Sequence, residues 1–278
     1  MISVLVCSIS IVDLENLKNT IVHTIDENTL YEVLAYDNTI HRYGITKVYN
    51  VLASRAKYPN LIFIHEDVEF MNKGWDKSLL TLLQNKNFGI IGFAGSTYLP
   101  SVPSGWYLPN EKYNNVYIQQ GFKYKELPVR LDNQGEDLTN VYLLDGVFLA
   151  MRKEVWMEFP FNEKLDGFHA YDVDICQRVS SKFQNVFTKQ IEILHKSEGK
   201  VDQTYFEAIL KYKLSYLNFT YSKRNPILEY TLLYQFYSQL RCYYDKKDCI
   251  EKISPFIKLK YLGWKGYFSF KKMLMNAK

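Results

Sequence analysis

Short unbroken apolar runs alternate along the first part of the chain with segments whose apolar residues recur every three or four positions. Runs at residues 2–9 (ISVLVCSI), 31–36 (YEVLAY) and 61–64 (LIFI) predict strands covered on both faces. Between them, Leu14, Leu17, Ile21 and Val22 predict a helix over residues 13–24, with Asp13 placed to cap it. Ile45, Val48, Leu52 and Ala56 predict a second helix over 44–56, which residues 57–60 with Pro59 bring to a stop. Strand, helix, strand, helix, strand in that order specifies an α/β fold with a mostly parallel sheet.

The pattern continues with a helix at 75–83, a strand at 88–93 and an irregular loop at 94–110, rich in Gly, Ser and Pro and carrying Trp106 and Tyr107. A loop of that length in a compact domain is packed, ligand-facing or disordered, and its aromatics favour the first two. Residues 115–124 and 127–131 predict a hairpin, followed by a polar acidic stretch at 132–140. The apolar run 141–152 is interrupted by Asp145 and Gly146, and a carboxylate inside such a run must be paired or functional. Residues 154–159 predict a helix, and another follows Asp172 and Asp174 as far as Phe183. A last strand at 186–194 ends in His195.

Chemistry concentrates where strands end. The stretch 61–70 (LIFIHEDVEF) leaves its apolar run directly into His65, Glu66 and Asp67, at the strand edge where open α/β sheets bind ligands. Asp37 and Asn38 end the preceding strand at the same edge. Asp172 and Asp174 open a helix beside His169; one carboxylate there satisfies the helix dipole, and two exceed that need. No phosphate-binding Gly loop and no GxSxG elbow occurs, which argues against P-loop NTPases, nicotinamide enzymes and serine hydrolases of the usual layout. Acidic groups at a metal-capable strand end suit a diphosphate bridged by Mg²⁺ or Mn²⁺.

In order along the chain stand CS (Cys7, Ser8), DN (Asp37, Asn38), HEDV (His65 to Val68), AGS (Ala94 to Ser96) with Trp106 downstream, DGVFLAMR (Asp145 to Arg152), GFHAYDVDICQR (Gly167 to Arg178) and HKSEG (His195 to Gly199). This series resembles the inverting, family 2-like bacterial glycosyltransferases of the GT-A fold, in the branch whose Asp-x-Asp metal motif begins with His. The resemblance covers residues 1 to about 200. It implies transfer of a sugar from a nucleotide-sugar donor, UDP- or GDP-linked, to a glycan or lipid-linked glycan acceptor in surface polysaccharide or glycoconjugate synthesis. It implies Asp67 and His195 as ligands of Mn²⁺ or Mg²⁺, and Asp172 as the base. It implies Ser8, Asp37, Asn38, His65, Glu66, Trp106, Asp145 and Gly146 as contacts of the nucleotide sugar. The chain departs from the family pattern at His65, and at Tyr171, which stands where the family has Glu. A metal-dependent hydrolase or phosphodiesterase and a catalytically silent sugar- or nucleotide-binding relative are the competing readings.

Bulk properties bound the rest. At 278 residues the expected organisation is a catalytic domain at 1–200 and a helical appendage at 201–278, with helices at 201–219, 227–244 and 248–257. A net charge of +4 is too small to argue for nucleic acid. The four cysteines have no metal-ligand spacing, no leader segment is visible, and no apolar run is long enough to cross a bilayer. A cytoplasmic setting is therefore expected, with the Asn218 sequon incidental. From 257 to 278 there are six Lys and no acidic residue among Trp, Tyr and Phe. That composition fits either a tail packed on its own protein or an anchor at an anionic membrane surface.

Overall fold

The computed structural model describes residues 1–122, 125–133, 135–199, 201–217 and 224–275. The Asn218 sequon, the expected strand end at Lys123 and Tyr124, and the last three residues of the tail lie outside the described residues. The chain divides into two compact units, Met1–Tyr98 with Tyr113–Gly199, and Leu99–Lys112 with Lys200–Lys278. The loop that carries Trp106 thus belongs with the C-terminal helices rather than with the strands on either side of it.

In the first unit the strands are β1 (Ile2–Ser8), β2 (Tyr31–Asp37), β3 (Asn60–Ile64), β4 (Val68–Phe70), β5 (Phe88–Gly92), β6 (Ala94–Ser96) and β7 (Asn114–Gln120). They continue as β8 (Val129–Asp132), β9 (Leu138–Val141), β10 (Leu143–Leu144), β11 (Phe148–Arg152), β12 (Gln184–Thr188) and β13 (Ile193–His195). Its helices are α1 (Ile11–Thr24), α2 (Ile45–Arg55), α3 (Trp75–Leu83), α4 (Lys153–Glu158) and α5 (Tyr171–Val179). The main sheet runs β2-β1-β3-β11-β5-β12-β9. β1, β2, β3, β5 and β12 point one way and β11 and β9 the other, so the mostly parallel sheet holds. A second sheet runs β10-β6-β7-β13-β4, with β8 paired to β7.

The first three strands and the helices between them lie close to where periodicity places them. At α1 the capping residue is Ser10, whose hydroxyl accepts from the Asp13 amide at 3.3 Å; Asp13 sits in the first turn instead of capping. Gly44 precedes α2 because Asp166 and Gly167 pass so close that a Cβ there would meet them at 2.6 and 2.7 Å.

Three apolar stretches, of which only 186–194 reads as one strand, are each divided between the two sheets. Residues 61–70 become β3 in the main sheet and β4 in the second, with His65, Glu66 and Asp67 between. Residues 141–152 begin with Val141 at the end of β9 in the main sheet, then supply β10 to the second sheet and β11 to the main one, with Asp145, Gly146 and Val147 between the last two. Residues 186–194 become β12 and β13 across the same divide. Alternation and burial look alike on both sides of such a switch, so hydrophobicity alone does not reveal it. The expected loop at 94–110 begins with β6, the polar stretch at 132–140 already contains the start of β9, and α5 stops at Val179 short of Phe183.

The second unit packs α6 (Gln203–Leu214), α7 (Pro226–Leu240), α8 (Lys246–Ile253) and α9 (Leu259–Met275). Asp202, Asn225 and Asp245 cap the first three, and Pro226 opens α7 at a position where a missing N–H costs nothing. Gly263, at φ 63°, breaks α9 against Pro226. Two buried charges hold the loop Leu99–Lys112 to these helices. The Glu229 carboxylate on α7 accepts from the Ser101 amide at 2.9 Å and the Val102 amide at 3.1 Å. The Lys213 ammonium on α6 donates to the Pro100 carbonyl at 2.6 Å. Among the described residues no helix is long and apolar enough to cross a membrane.

Candidate functional site

The register of the main sheet brings several strand ends to one edge. Ser8 at the end of β1 faces Asp37 at the end of β2, and Ile64 at the end of β3 faces Phe148 at the start of β11. The chain leaves β3 here for the second sheet, so His65 and Asp67 are fixed from both sides. The His65 amide donates to Val147 O at 3.1 Å, and the Lys196 amide donates to Asp67 O at 3.0 Å.

His65, Asp67 and His195 offer three ligand atoms lying within 4.8 Å of one another. His195 Nε2 stands 3.5 Å from Asp67 Oδ2. The hydrogen-bond network fixes which nitrogen of each ring keeps its lone pair. Gln120 Nε2 donates to Ser197 O at 2.6 Å and to Gly121 O at 3.0 Å, so its Oε1 faces His195 Nδ1, 3.1 Å away, as an acceptor. His195 Nδ1 therefore carries the proton and Nε2 is left as a ligand. The Tyr171 hydroxyl donates to Gly146 O at 2.9 Å and lies 2.7 Å from His65 Nε2, so it must accept from that nitrogen. Nδ1 of His65 then keeps the lone pair. Burial lowers the pKa of His65, an effect the Asp67 charge opposes, and this favours the neutral ligand form.

Gly146 is required where it stands, because a Cβ there would collide with the Tyr171 hydroxyl. The two departures from the family pattern, His65 and Tyr171, are thus partners in one hydrogen bond. The sequence shows each substitution but not that they meet, and it gave no signal for Gln120.

Asp172 opens α5 behind Ala170, which holds a left-handed φ of 64°. Its Oδ2 accepts from the Gly146 amide at 3.2 Å. Burial, reinforced by the nearby Asp145 charge, pushes its pKa up to about 7. Asp145 accepts from the Val147 amide at 2.8 Å and so shapes the turn between β10 and β11. Asp174 is buried in an ion pair with Arg178 at 2.8 Å, one turn along α5.

The remaining expected contacts fall into different settings. Glu66 turns away from its neighbours to close the β1–α1 turn, accepting from the Ser8 hydroxyl and from the Ile9 and Ser10 amides at 2.9 Å each. Asn38 is buried and clasps Tyr43 through its amide and carbonyl at 2.8 Å each. Asp37 is exposed, and hydrogen bonds from the Thr39 hydroxyl and amide hold its pKa below the usual carboxylate range. Trp106 lies in the other unit, half-buried, with its ring 5.5 Å from that of Tyr107.

A family model described as a glycosyltransferase-like family matches residues 16–208, and the chain belongs to that family. No curated protein matches it by sequence. Among solved structures, GalNAc-T7 with UDP, GalNAc and Mn²⁺ superimposes with a TM-score of 0.55 at 13% identity, over 91% of this chain and 54% of that one. The chain thus spans about half the length of GalNAc-T7. S. aureus TarS 1–349 in complex with UDP-GlcNAc gives a TM-score of 0.57 at 14% identity, over 92% of this chain and 80% of that one. The TarS 1–349 complex with UDP gives 0.56 at 14% identity, with the same coverage. The fold is that of the GT-A glycosyltransferases.

Proposed function

We propose that the chain transfers a sugar from a UDP-sugar, with inversion at the sugar carbon, to a hydroxyl of a glycan or lipid-linked glycan. The work would serve surface polysaccharide or glycoconjugate synthesis at the cytoplasmic face of a membrane. The observation that carries this reading is the placement of a raised-pKa carboxylate, Asp172, at the strand-end edge that also presents His65, Asp67 and His195. The UDP and UDP-sugar seen in TarS and GalNAc-T7 favour uridine over guanosine as the base of the donor.

Inverting transfer needs one carboxylate to take the proton of the acceptor hydroxyl as that oxygen bonds the sugar carbon. Asp172 fills this role, with a proton affinity close to neutrality that lets it accept in one step and release in the next. The Gly146 amide holds the carboxylate in place. His65, Asp67 and His195 would hold the cation, and two imidazoles with one carboxylate suit Mn²⁺ better than Mg²⁺. When bound, such an ion neutralises charge building on a departing diphosphate, so no second acid is needed. Tyr171 and Gln120 orient the two rings. Ser8 and Asp37 line the nucleotide end, while Glu66 and Asn38 support it from behind.

A thermal-shift series with UDP, GDP, CDP and dTDP, with and without Mn²⁺, tests the binding half of this reading. The expected outcome is a rise in Tm with UDP that requires Mn²⁺ and vanishes in Asp67→Ala, with a weaker version of that loss in His195→Ala. An undiminished Mn²⁺-dependent shift in folded Asp67→Ala removes Asp67 as a ligand. Release of sugar without acceptor would favour a hydrolase, and binding without turnover on any acceptor a silent relative.

A further inference from the structure

The Lys-rich end of the chain forms a helix with two unlike faces. Beyond the break at Gly263, one face packs into the second unit: Phe270 is 1% exposed, and its ring lies 5.3 Å from that of Tyr230 on α7. A Cβ at Gly266 would meet Tyr230 at 3.1 Å, so the helices approach closely. The tail is therefore docked on its own unit. Docking leaves the opposite face unused.

On that face Trp264 and Phe268, one turn apart, stack with ring centroids 6.0 Å apart and planes 18° apart, yet remain 68% and 57% exposed. Ile227, in the first turn of α7, is 79% exposed. It lines one shallow depression of about 440 Å³ together with Pro226, Trp264 and Lys265. Lys265, Lys271 and Lys272 are exposed on the helix beyond that break and Lys260 just before it, and no acidic residue lies between Ile257 and the chain end.

We propose that this face is a docking surface for an anionic lipid bilayer. Trp264, Phe268 and Ile227 enter the boundary between headgroups and acyl chains, and the exposed lysines meet lipid phosphates. Indole and phenyl rings have their best environment at that depth, where the exposed tips leave water without needing a shaped protein pocket. A second copy of the chain is the poorer occupant, because a two-fold contact through this face would set lysines against lysines. The proposal deepens the membrane location given above and is independent of the transfer chemistry.

The test uses the full-length protein, without nucleotide or metal, and sedimentation with vesicles of phosphatidylcholine alone or mixed with phosphatidylglycerol. Binding to the mixed vesicles that weakens with salt, and little binding to phosphatidylcholine, is expected. Trp264→Ser combined with Phe268→Ser should lower the partition coefficient on the order of tenfold or more, at unchanged Tm. Lys265→Glu combined with Lys272→Glu should do the same. Equal partitioning of the wild type into both vesicle types, or wild-type partitioning by the aromatic variant, overturns the proposal. So does a dimer in analytical ultracentrifugation that the aromatic variant abolishes. Because no step of this assay requires turnover, it stands or falls apart from the proposed reaction.

Discussion

Each compact unit buries a cluster of charge, and the two clusters are built in opposite ways. Around Glu229 and Lys213 the charges are of opposite sign, and each also grips backbone polar groups of the loop. Burial pulls Lys213 below the ordinary lysine range, and the Glu229 charge works against that shift. Around Asp172 the neighbouring charge has the same sign: Asp145 adds to burial in raising the proton affinity instead of relieving it. A buried charge given its complement holds architecture together. A buried charge set beside its like is left wanting a proton, which is the condition of a base.

Replacing the discontented carboxylate breaks the comparison hardest. Asp172→Asn keeps the shape but cannot take a proton, so transfer should fall by roughly 10²–10⁴ while UDP and Mn²⁺ affinities stay near wild type. Stability should move the other way. Between the ordinary carboxylate range and about pH 7 the folded state binds more protons at Asp172 than the unfolded chain, so wild-type stability declines as pH rises through that window. The variant lacks this decline and should gain in Tm relative to wild type from pH 5 to pH 8. Transfer within a few-fold of wild type would remove Asp172 as base and point to Asp145.

Replacing the satisfied carboxylate sharpens the contrast. Glu229→Gln should cost roughly 2–4 kcal/mol of stability, measured by urea unfolding, because the loop amides lose a charged acceptor. The smallest expected effect is at Tyr171. Tyr171→Phe removes the acceptor that orients His65, and Mn²⁺ affinity, followed by electron paramagnetic resonance, should fall about tenfold. In an Asp-for-His background, His65→Asp, there is no ring to orient and the same change should cost little. An equal loss in both backgrounds would make Tyr171 a packing residue only.

Much of the fold was legible because β1, β2, β3, α1 and α2 each carry one unambiguous period. Asp67 and His195 were legible as candidate ligands for a related reason, since apolar runs that end abruptly in polar residues advertise a fixed strand end; His65, read as a nucleotide-sugar contact, joins their cluster only in three dimensions. What stayed hidden was geometry across the chain. Nothing in LIFIHEDVEF says that it changes sheets at His65, and nothing in Glu66 distinguishes a brace from a ligand contact when Ser8, Ile9 and Ser10 lie so far away in sequence. The polar partners that set ring tautomers, Tyr171 and Gln120, come from elements 106 and 75 residues distant from the imidazoles they orient. At 94–110 the aromatics favour a packed or ligand-facing loop, and Val102 and Leu108 are fully buried, but nothing in the composition says that the loop belongs with the C-terminal helices.

The loop at Leu99–Lys112 also sets an order of events in the making of the protein. Its anchors lie 113 residues downstream at Lys213 and 128 residues downstream at Glu229. At a synthesis rate of roughly 5–20 residues per second, the loop waits about 6–25 seconds for partners that have not yet been translated. The strands on both sides of it can pair meanwhile, since β6 meets β7 directly across it. The loop's hydrogen bonds to α6 and α7 can therefore form only after both helices have been made. A chain that terminates after Gly199 would lack Lys213 and Glu229, and the loop would lose both of its buried charged anchors.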